Sequence, residues 1–345
     1  MVCGNCSQDE VSSYQIFSFW SMCRIIYSSM ATTNKLITDF LEYLEIEKGR
    51  SAKTIRNYDF YLRRFSEWAK NPTPQKISKE MIRKYRLWLN RSVPGRSEET
   101  LKKNTQNYHL IALRAFLKYL TRRDIKSLAP EMIELAKQST RTVEFLEEDE
   151  LERLLAAPMK KHKIKTGEKG WSIVQMRDRA ILETLFSTGL RVSEVANLKI
   201  DQINLKRDEF TVRGKGDKPR VVFLSDEAKK WIKQYTDKRM DPSPFLFVSH
   251  DRAKKGRKEA GPLTPRSIER MVKKYARDAG ITKRITPHTL RHTFATDMLM
   301  AGADIRAVQD LLGHASINTT QIYTHITNKQ LKQIHKKFHG KSRKD

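Results

Sequence analysis

The sequence predicts a mainly α-helical chain of two domains with one small β-sheet. Its 345 residues suit about two domains at roughly 150 residues each. Apolar residues recur at helical spacing through residues 33–137, with no alternating strand pattern. One strand–turn–strand pattern stands in the second half, Phe210–Arg213 and Arg220–Leu224 around Gly214-Lys-Gly-Asp-Lys-Pro219. With 39% apolar residues the chain can build real cores, which excludes wholesale disorder.

The elements follow in order. Residues 1–30 differ in composition from the rest and hold all three cysteines, Cys3, Cys6 and Cys23. A disulfide scaffold is therefore excluded. Cys3 and Cys6 form a C-x-x-C pair, but no second pair or nearby His completes a zinc site. Tyr14–Tyr27 is apolar but too short to span a bilayer. Asp9 and Glu10 precede it, where a signal peptide would be basic. Residues 1–30 are thus expected to be a disordered extension, of which 1–29 are dispensable, with Met30 as an alternative start to Met1.

Residues 31–137 read as a helical bundle. Leu36, Phe40, Leu41 and Leu44 form a first stripe. Ser51 caps a second helix carrying Ile55, Tyr58, Leu62, Phe65 and Trp68, which ends at Asn71-Pro72. Ser78 caps a third with Ile82, Tyr85 and Leu89, broken at Pro94-Gly95. A fourth runs from about Leu101 to Arg122, with Leu110, Leu113, Phe116, Leu117 and Leu120 apolar. Residues 138–146 lack a stripe and read as a linker. Residues 147–345 form the second domain. It opens on an acidic helix start, Glu147–Glu150, and continues through an apolar helix ending at Gly189. The hairpin follows, then a helix capped by Ser225 and a short buried strand over Phe245–Ser249. Helices begin at Thr264-Pro265 and Thr286-Pro287, where a capping residue precedes Pro at the first helical position. Asn328 caps a last helix, about 328–339, with Leu331, Ile334 and Phe338 on one stripe. Lys160–Lys169 and Arg252–Lys258 stand out as basic insertions.

Charge points to a polyanionic partner. The net charge is +27. Residues 31–140 carry 23 Lys and Arg against 12 Asp and Glu, and residues 141–345 carry 43 against 26. Both domains are basic, so this is not a basic tail on a neutral enzyme, and nucleic acid is the first candidate.

Six polar residues sit where a packing role alone would not put them. Arg191 follows Thr188-Gly189-Leu190 and begins a helix. Lys215 lies on the hairpin turn. His288 and Arg291 share one helical face. His314 follows Gly313, and Tyr323 lies in a Thr-rich stretch ending at His325. Each alone is more often a surface, capping or core residue; His292, at i+4 from His288, reads as structural. Two Arg, one Lys, two His and a Tyr, with no carboxylate, suit a phosphate better than a metal ion or a sugar.

TGLRVSE (188–194), GKGDK (214–218), HTLRHTFAT (288–296), LLGHAS (311–316) and IYTH (322–325) together resemble the motifs of tyrosine site-specific recombinases of the phage integrase family, in the order and spacing of its Xer branch. The resemblance covers about residues 31–340. It implies a SAM-like core-binding bundle followed by a mixed α/β catalytic domain, the two clamping double-stranded DNA. It further implies Tyr323 as nucleophile, Arg191 and Arg291 on the non-bridging phosphate oxygens, and His288 as base. Lys215 becomes general acid to the leaving 5′ oxygen, and His314 a hydrogen-bond donor to the phosphate. No cofactor, metal or ATP is expected. The implied assembly is a tetramer on two DNA sites, of one chain or paired with a paralogue, with the last helix docked on a neighbour. A DNA translocase is a candidate regulator, no membrane partner is expected, and the implied location is the cytoplasm at the nucleoid. The implied use is chromosome or plasmid dimer resolution; integration or excision of a mobile element runs on the same chemistry. Two other readings stay open. A type IB topoisomerase shares the chemistry, and residues 303–323 alone resemble a helix-turn-helix of a DNA-binding regulator.

Overall fold

A computed structural model describes residues 32–95, 100–137, 144–160, 171–214, 218–250 and 261–313. The chain divides into two compact units, residues 1–140 and 141–345.

The first unit is helical throughout its described residues. Helices α1 (Thr33–Ile46), α2 (Ala52–Trp68), α3 (Lys79–Arg91) and α4 (Lys103–Arg122) pack around α4. The caps read from sequence form. Ser51 Oγ accepts from the Thr54 amide at 3.3 Å, and Ser78 Oγ from the Met81 amide at 3.2 Å, each satisfying an amide the helix leaves unpaired. Leu110, Leu113, Phe116, Leu117 and Leu120 are all buried. The core is rich in rings. Phe40 meets Phe116 edge-on at 5.7 Å, and Tyr85 meets Phe65 at 5.1 Å, an arrangement aromatic quadrupoles favour.

The second unit is mixed but mostly helical. It contains α5 (Glu148–Ala156), α6 (Ile173–Thr188), α7 (Val192–Ala196), β1 (Glu209–Arg213), β2 (Pro219–Phe223), α8 (Asp226–Asp237), α9 (Pro265–Asp278), α10 (Pro287–Met300) and α11 (Ile305–Leu312). Helix α6 is the central element and packs on α8 and α10. Its Ala180, Ile181, Leu182 and Leu185 are fully buried, which is why its apolar residues run all round instead of along one stripe. Leu146, ahead of α5, is buried in the same core, and its amide donates to Thr293 Oγ1 at 3.0 Å.

The two strands pair antiparallel, Phe210 opposite Val222 and Val212 opposite Arg220. Directly opposed residues share a face. Phe210, Val212 and Val222 are buried, so the register sends Arg220 inward with them. The strand expected over Phe245–Ser249 is not formed. Phe245 and Val248 make only isolated bridges, to Lys199 and Pro262. Leu246, Phe247 and Val248 are buried as expected, but their backbone bonds go singly to two different segments, Leu246 to Leu198 and Leu263 to Phe247. An apolar run marks burial; it does not say whether a continuous ladder is available.

Among the described residues no helix is long and apolar enough to cross a membrane. The extension over residues 1–30, nearly all of the Lys160–Lys169 insertion, the Arg252–Lys258 insertion and the last helix lie outside the described residues.

Candidate active site

Of the six residues expected to carry chemistry, three are described: Arg191, His288 and Arg291. Lys215, His314 and Tyr323 lie outside the described residues.

Two glycines shape the ground on which the arginines rest. Helix α6 ends at Gly189 with φ +58°, and α11 ends at Gly313 with φ +62°, a left-handed conformation that suits glycine. A Cβ on Gly189 would stand 2.6 Å from Phe294 Cδ1, so the position is tight as well as turned. These two helix ends supply the acceptors. Arg291, 4% exposed, donates from Nη1 to Gly189 O at 2.6 Å and from Nη2 to Leu312 O at 2.5 Å. Arg191 donates from Nη2 to Gly313 O at 3.0 Å. The two guanidiniums therefore meet consecutive carbonyls at the C-terminus of α11, the end of a helix that favours positive charge.

Arg191 stands at the N-cap of α7, and Glu194 lies one turn on. Glu194 Oε2 accepts from the Arg191 amide at 2.8 Å and Oε1 from Arg191 Nη1 at 3.0 Å. Arg220 closes the group from β2, donating Nη1 to Oε1 at 3.0 Å and Nη2 to Oε2 at 2.7 Å. Burial pushes the Glu194 carboxyl up, but hydrogen bonds from Arg220 and Arg191 and the Arg220 charge outweigh it and hold the pKa below the usual value.

His288 lies on the solvent-facing side of α10. Its pKa is lowered, first by the desolvation the surrounding chain imposes, then by Arg291 and Arg191, with Glu269 opposing. The charges of both arginines are thus felt at this imidazole, and it is neutral at pH 7. His292, half-buried, is pushed down to about 4 by burial, His288 and Arg291, so it too is uncharged. A cleft of about 740 Å³ opens beside Arg191, lined also by Ser193, Asn197, Gln202, Arg213 and Gly214. Among the described residues no cluster of His, Cys, Asp and Glu could hold a metal ion. The described part of the site is cationic, with one neutral imidazole at its face and a buried carboxylate behind it, an arrangement fitted to an anionic ester.

The comparisons agree with this chemistry. Residues 144–330 match the phage integrase family, and residues 37–124 match its N-terminal SAM-like domain. The chain belongs to this family, the tyrosine recombinases, enzymes that cut and rejoin DNA through a tyrosine intermediate. Within it the chain is similar to Xer proteins. It is 35% identical to tyrosine recombinase XerC of Thermodesulfovibrio yellowstonii over 92% of this chain and 100% of the relative. It is 38% identical to tyrosine recombinase XerA of Pyrococcus furiosus over 87% and 92%. In fold it resembles the crystal structure of the XerH site-specific recombinase bound to palindromic difH substrate. The TM-score there is 0.62, at 23% identity, over 83% of this chain and 80% of that one.

Sequence reading missed Glu194 and Arg220. Glu194 carried a signal, since an acidic residue three positions after a helix start can close on the backbone of the capping residue. Arg220 carried none: in a strand-like run an Arg reads as solvent-facing until the register is known.

Proposed function

We propose that this chain is a site-specific recombinase that cuts and rejoins duplex DNA through a 3′-phosphotyrosyl intermediate and a Holliday junction, and that it resolves chromosome or plasmid dimers. The observation that carries the reading is the meeting of Arg191 and Arg291 at consecutive carbonyls of one helix end, with a neutral His288 under the influence of both. Each planar guanidinium can fork onto a non-bridging oxygen. Fixed charge aimed at oxygens that gain charge in the transition state is usually the largest catalytic term.

In this reading Tyr323 attacks the phosphorus and His288 takes its proton. The bond to the 5′ oxygen breaks, and Lys215 supplies the proton that oxygen needs. His314 donates to the phosphate. A phenol titrates near 10, so the base and the local positive charge are both required. The phosphotyrosyl bond keeps the energy of the phosphodiester, so religation needs no ATP. Two arginine forks and a lysine take the part a divalent cation plays in other phosphoryl-transfer sites. Two copies of a DNA site held by four subunits, of this chain alone or with a paralogue, suit the exchange of strands; the working location is the cytoplasm, at the nucleoid.

The test begins with fragmented genomic DNA. Fragments that stay with the protein through denaturing extraction are sequenced to give the site. Two copies of it in direct repeat on a plasmid are then incubated with the protein. Recombination yields two smaller circles. A change of supercoiling with no change of circle size indicates a topoisomerase, and binding with neither indicates a regulator; either outcome contradicts the proposal.

A further inference from the structure

We propose that Arg220 is a positioning residue for the reaction, acting through Glu194 to hold Arg191 and leave its charge for the phosphate. The inference rests on the reading of Arg191 given above.

Four hydrogen bonds converge on the Glu194 carboxylate. Oε1 accepts from Arg220 Nη1 and Arg191 Nη1, each at 3.0 Å. Oε2 accepts from Arg220 Nη2 at 2.7 Å and the Arg191 amide at 2.8 Å. Each oxygen thus joins Arg220 to Arg191, once through the side chain and once through the backbone. The side chains of Arg220 and Glu194 are 8% and 10% exposed, while that of Arg191 is 26% exposed. The outermost member of the group is therefore the one that faces substrate in the proposed reaction.

Charge decides what Arg220 adds. A buried Arg191–Glu194 pair alone would be neutral, and its attraction for an anion correspondingly weak. With Arg220 the three groups carry a net single positive charge, and the carboxylate is already satisfied from behind. Arg191 then keeps the orientation that Glu194 gives it without surrendering its charge. A lysine could supply the charge of Arg220 but not the planar fork that engages both oxygens at once.

Arg220 also lies close to Gly214 and Gly313. A Cβ on Gly214, just after β1, would stand 3.0 Å from Arg220 Nη1 and 3.9 Å from Arg191 Nη1. A Cβ on Gly313 would stand 2.9 Å from Arg220 Cδ, and Gly313 O is the acceptor of Arg191 Nη2. One buried side chain therefore bonds the carboxylate that fixes Arg191 and leaves no room for a side chain at Gly214 or Gly313. It reaches them because the hairpin register places it on the buried face, opposite Val212.

The experiment is a double-mutant cycle on single-turnover formation of the covalent adduct, using a nicked duplex carrying the site recovered as above. Arg220→Lys slows adduct formation on the order of tenfold to a hundredfold, the scale expected when a reacting group is misplaced. DNA affinity stays within about twofold of wild type, and the protein still melts cooperatively above the assay temperature, though lower than wild type for the lost buried fork. In an Arg191→Lys background the same substitution changes the rate less than about twofold, because the residue it acts through has already gone. Glu194→Gln, measured in the same cycle, shows the same coupling and carries the test if Arg220→Lys does not fold. Losses that multiply in the double variants, or that are matched by falls in affinity, overturn the inference. A wild-type protein that forms no adduct overturns the underlying reading and this inference with it. Adduct formation with multiplying losses overturns this inference alone.

Discussion

Among the side chains, Arg291 is buried under helix-end carbonyls while His288 sits on the solvent-facing side of α10, within the influence of the arginines. Arg291 is nearly inaccessible, and carbonyls at two helix ends, Gly189 O and Leu312 O, accept hydrogen bonds from its guanidinium. His288 loses its proton more readily. Its folded pKa lies below the ordinary 6.5, the causes being desolvation, Arg291 and Arg191, against Glu269. The sign follows directly: a base that must be neutral fails as pH drops through its lowered pKa. We therefore expect the acidic limb of the rate of adduct formation to fall below pH 6.5, and to move lower still when Glu269→Gln removes the opposing charge of Glu269. An acidic limb at or above 6.5, or one indifferent to Glu269, contradicts His288 as the base. Arg191, His288 and Arg291 stand out in the sequence because packing does not explain their positions, and the fold brings both arginines to one helix end. Glu194 leaves a local trace, its place three residues after a helix start, but Arg220 leaves none, because its part depends on a strand register that no local pattern records.

Among the elements, the site is built where helices stop. Gly189 ends α6 and Gly313 ends α11, and the carbonyls at or beside these turns hold both arginines. Gly189 is the more demanding of the two. It has φ +58°, and a Cβ there would meet Phe294 Cδ1 at 2.6 Å and Leu312 Cδ2 at 3.1 Å. Gly189→Ala should cost about 1–3 kcal/mol of stability, from the left-handed backbone and the displaced ring. It should also slow adduct formation, because Gly189 O is a partner of Arg291. Urea unfolding and the rate assay check both; an unchanged midpoint means the turn is more forgiving than its geometry indicates. The caps at Ser51, Ser78, Ser225, Thr264 and Thr286 could be read from sequence, each being a short-range contest between a side-chain oxygen and free amides. All five accept an amide of the following turn. The run Phe245–Ser249 could be read as buried but not as unpaired, since pairing depends on segments far away in the chain.

For the whole molecule, the charge that first suggested a polyanion is spread over both units, +11 over residues 31–140 and +17 over 141–345. Arg191 and Arg291 account for two of these cations and Lys215 for a third. Many of the rest are left for phosphates along a duplex, where each neutralised phosphate releases a counterion. Affinity for a duplex carrying the site should therefore fall with salt at a slope of about −5 or steeper in log–log form. Fluorescence anisotropy over a salt series measures it, and a slope near −1 would mean that the charge is a solubility surface and not a DNA-binding one.

In the proposed reaction one phenol, Tyr323, attacks one phosphate. Its most direct test is denaturing electrophoresis of the protein with a labelled, nicked duplex carrying the recovered site, for wild type and for Tyr323→Phe. Wild type should form a covalent protein–DNA adduct that survives denaturation, and Tyr323→Phe should bind the duplex with unchanged affinity and form none. An adduct of equal yield from Tyr323→Phe would mean that a group other than Tyr323 attacks the phosphate.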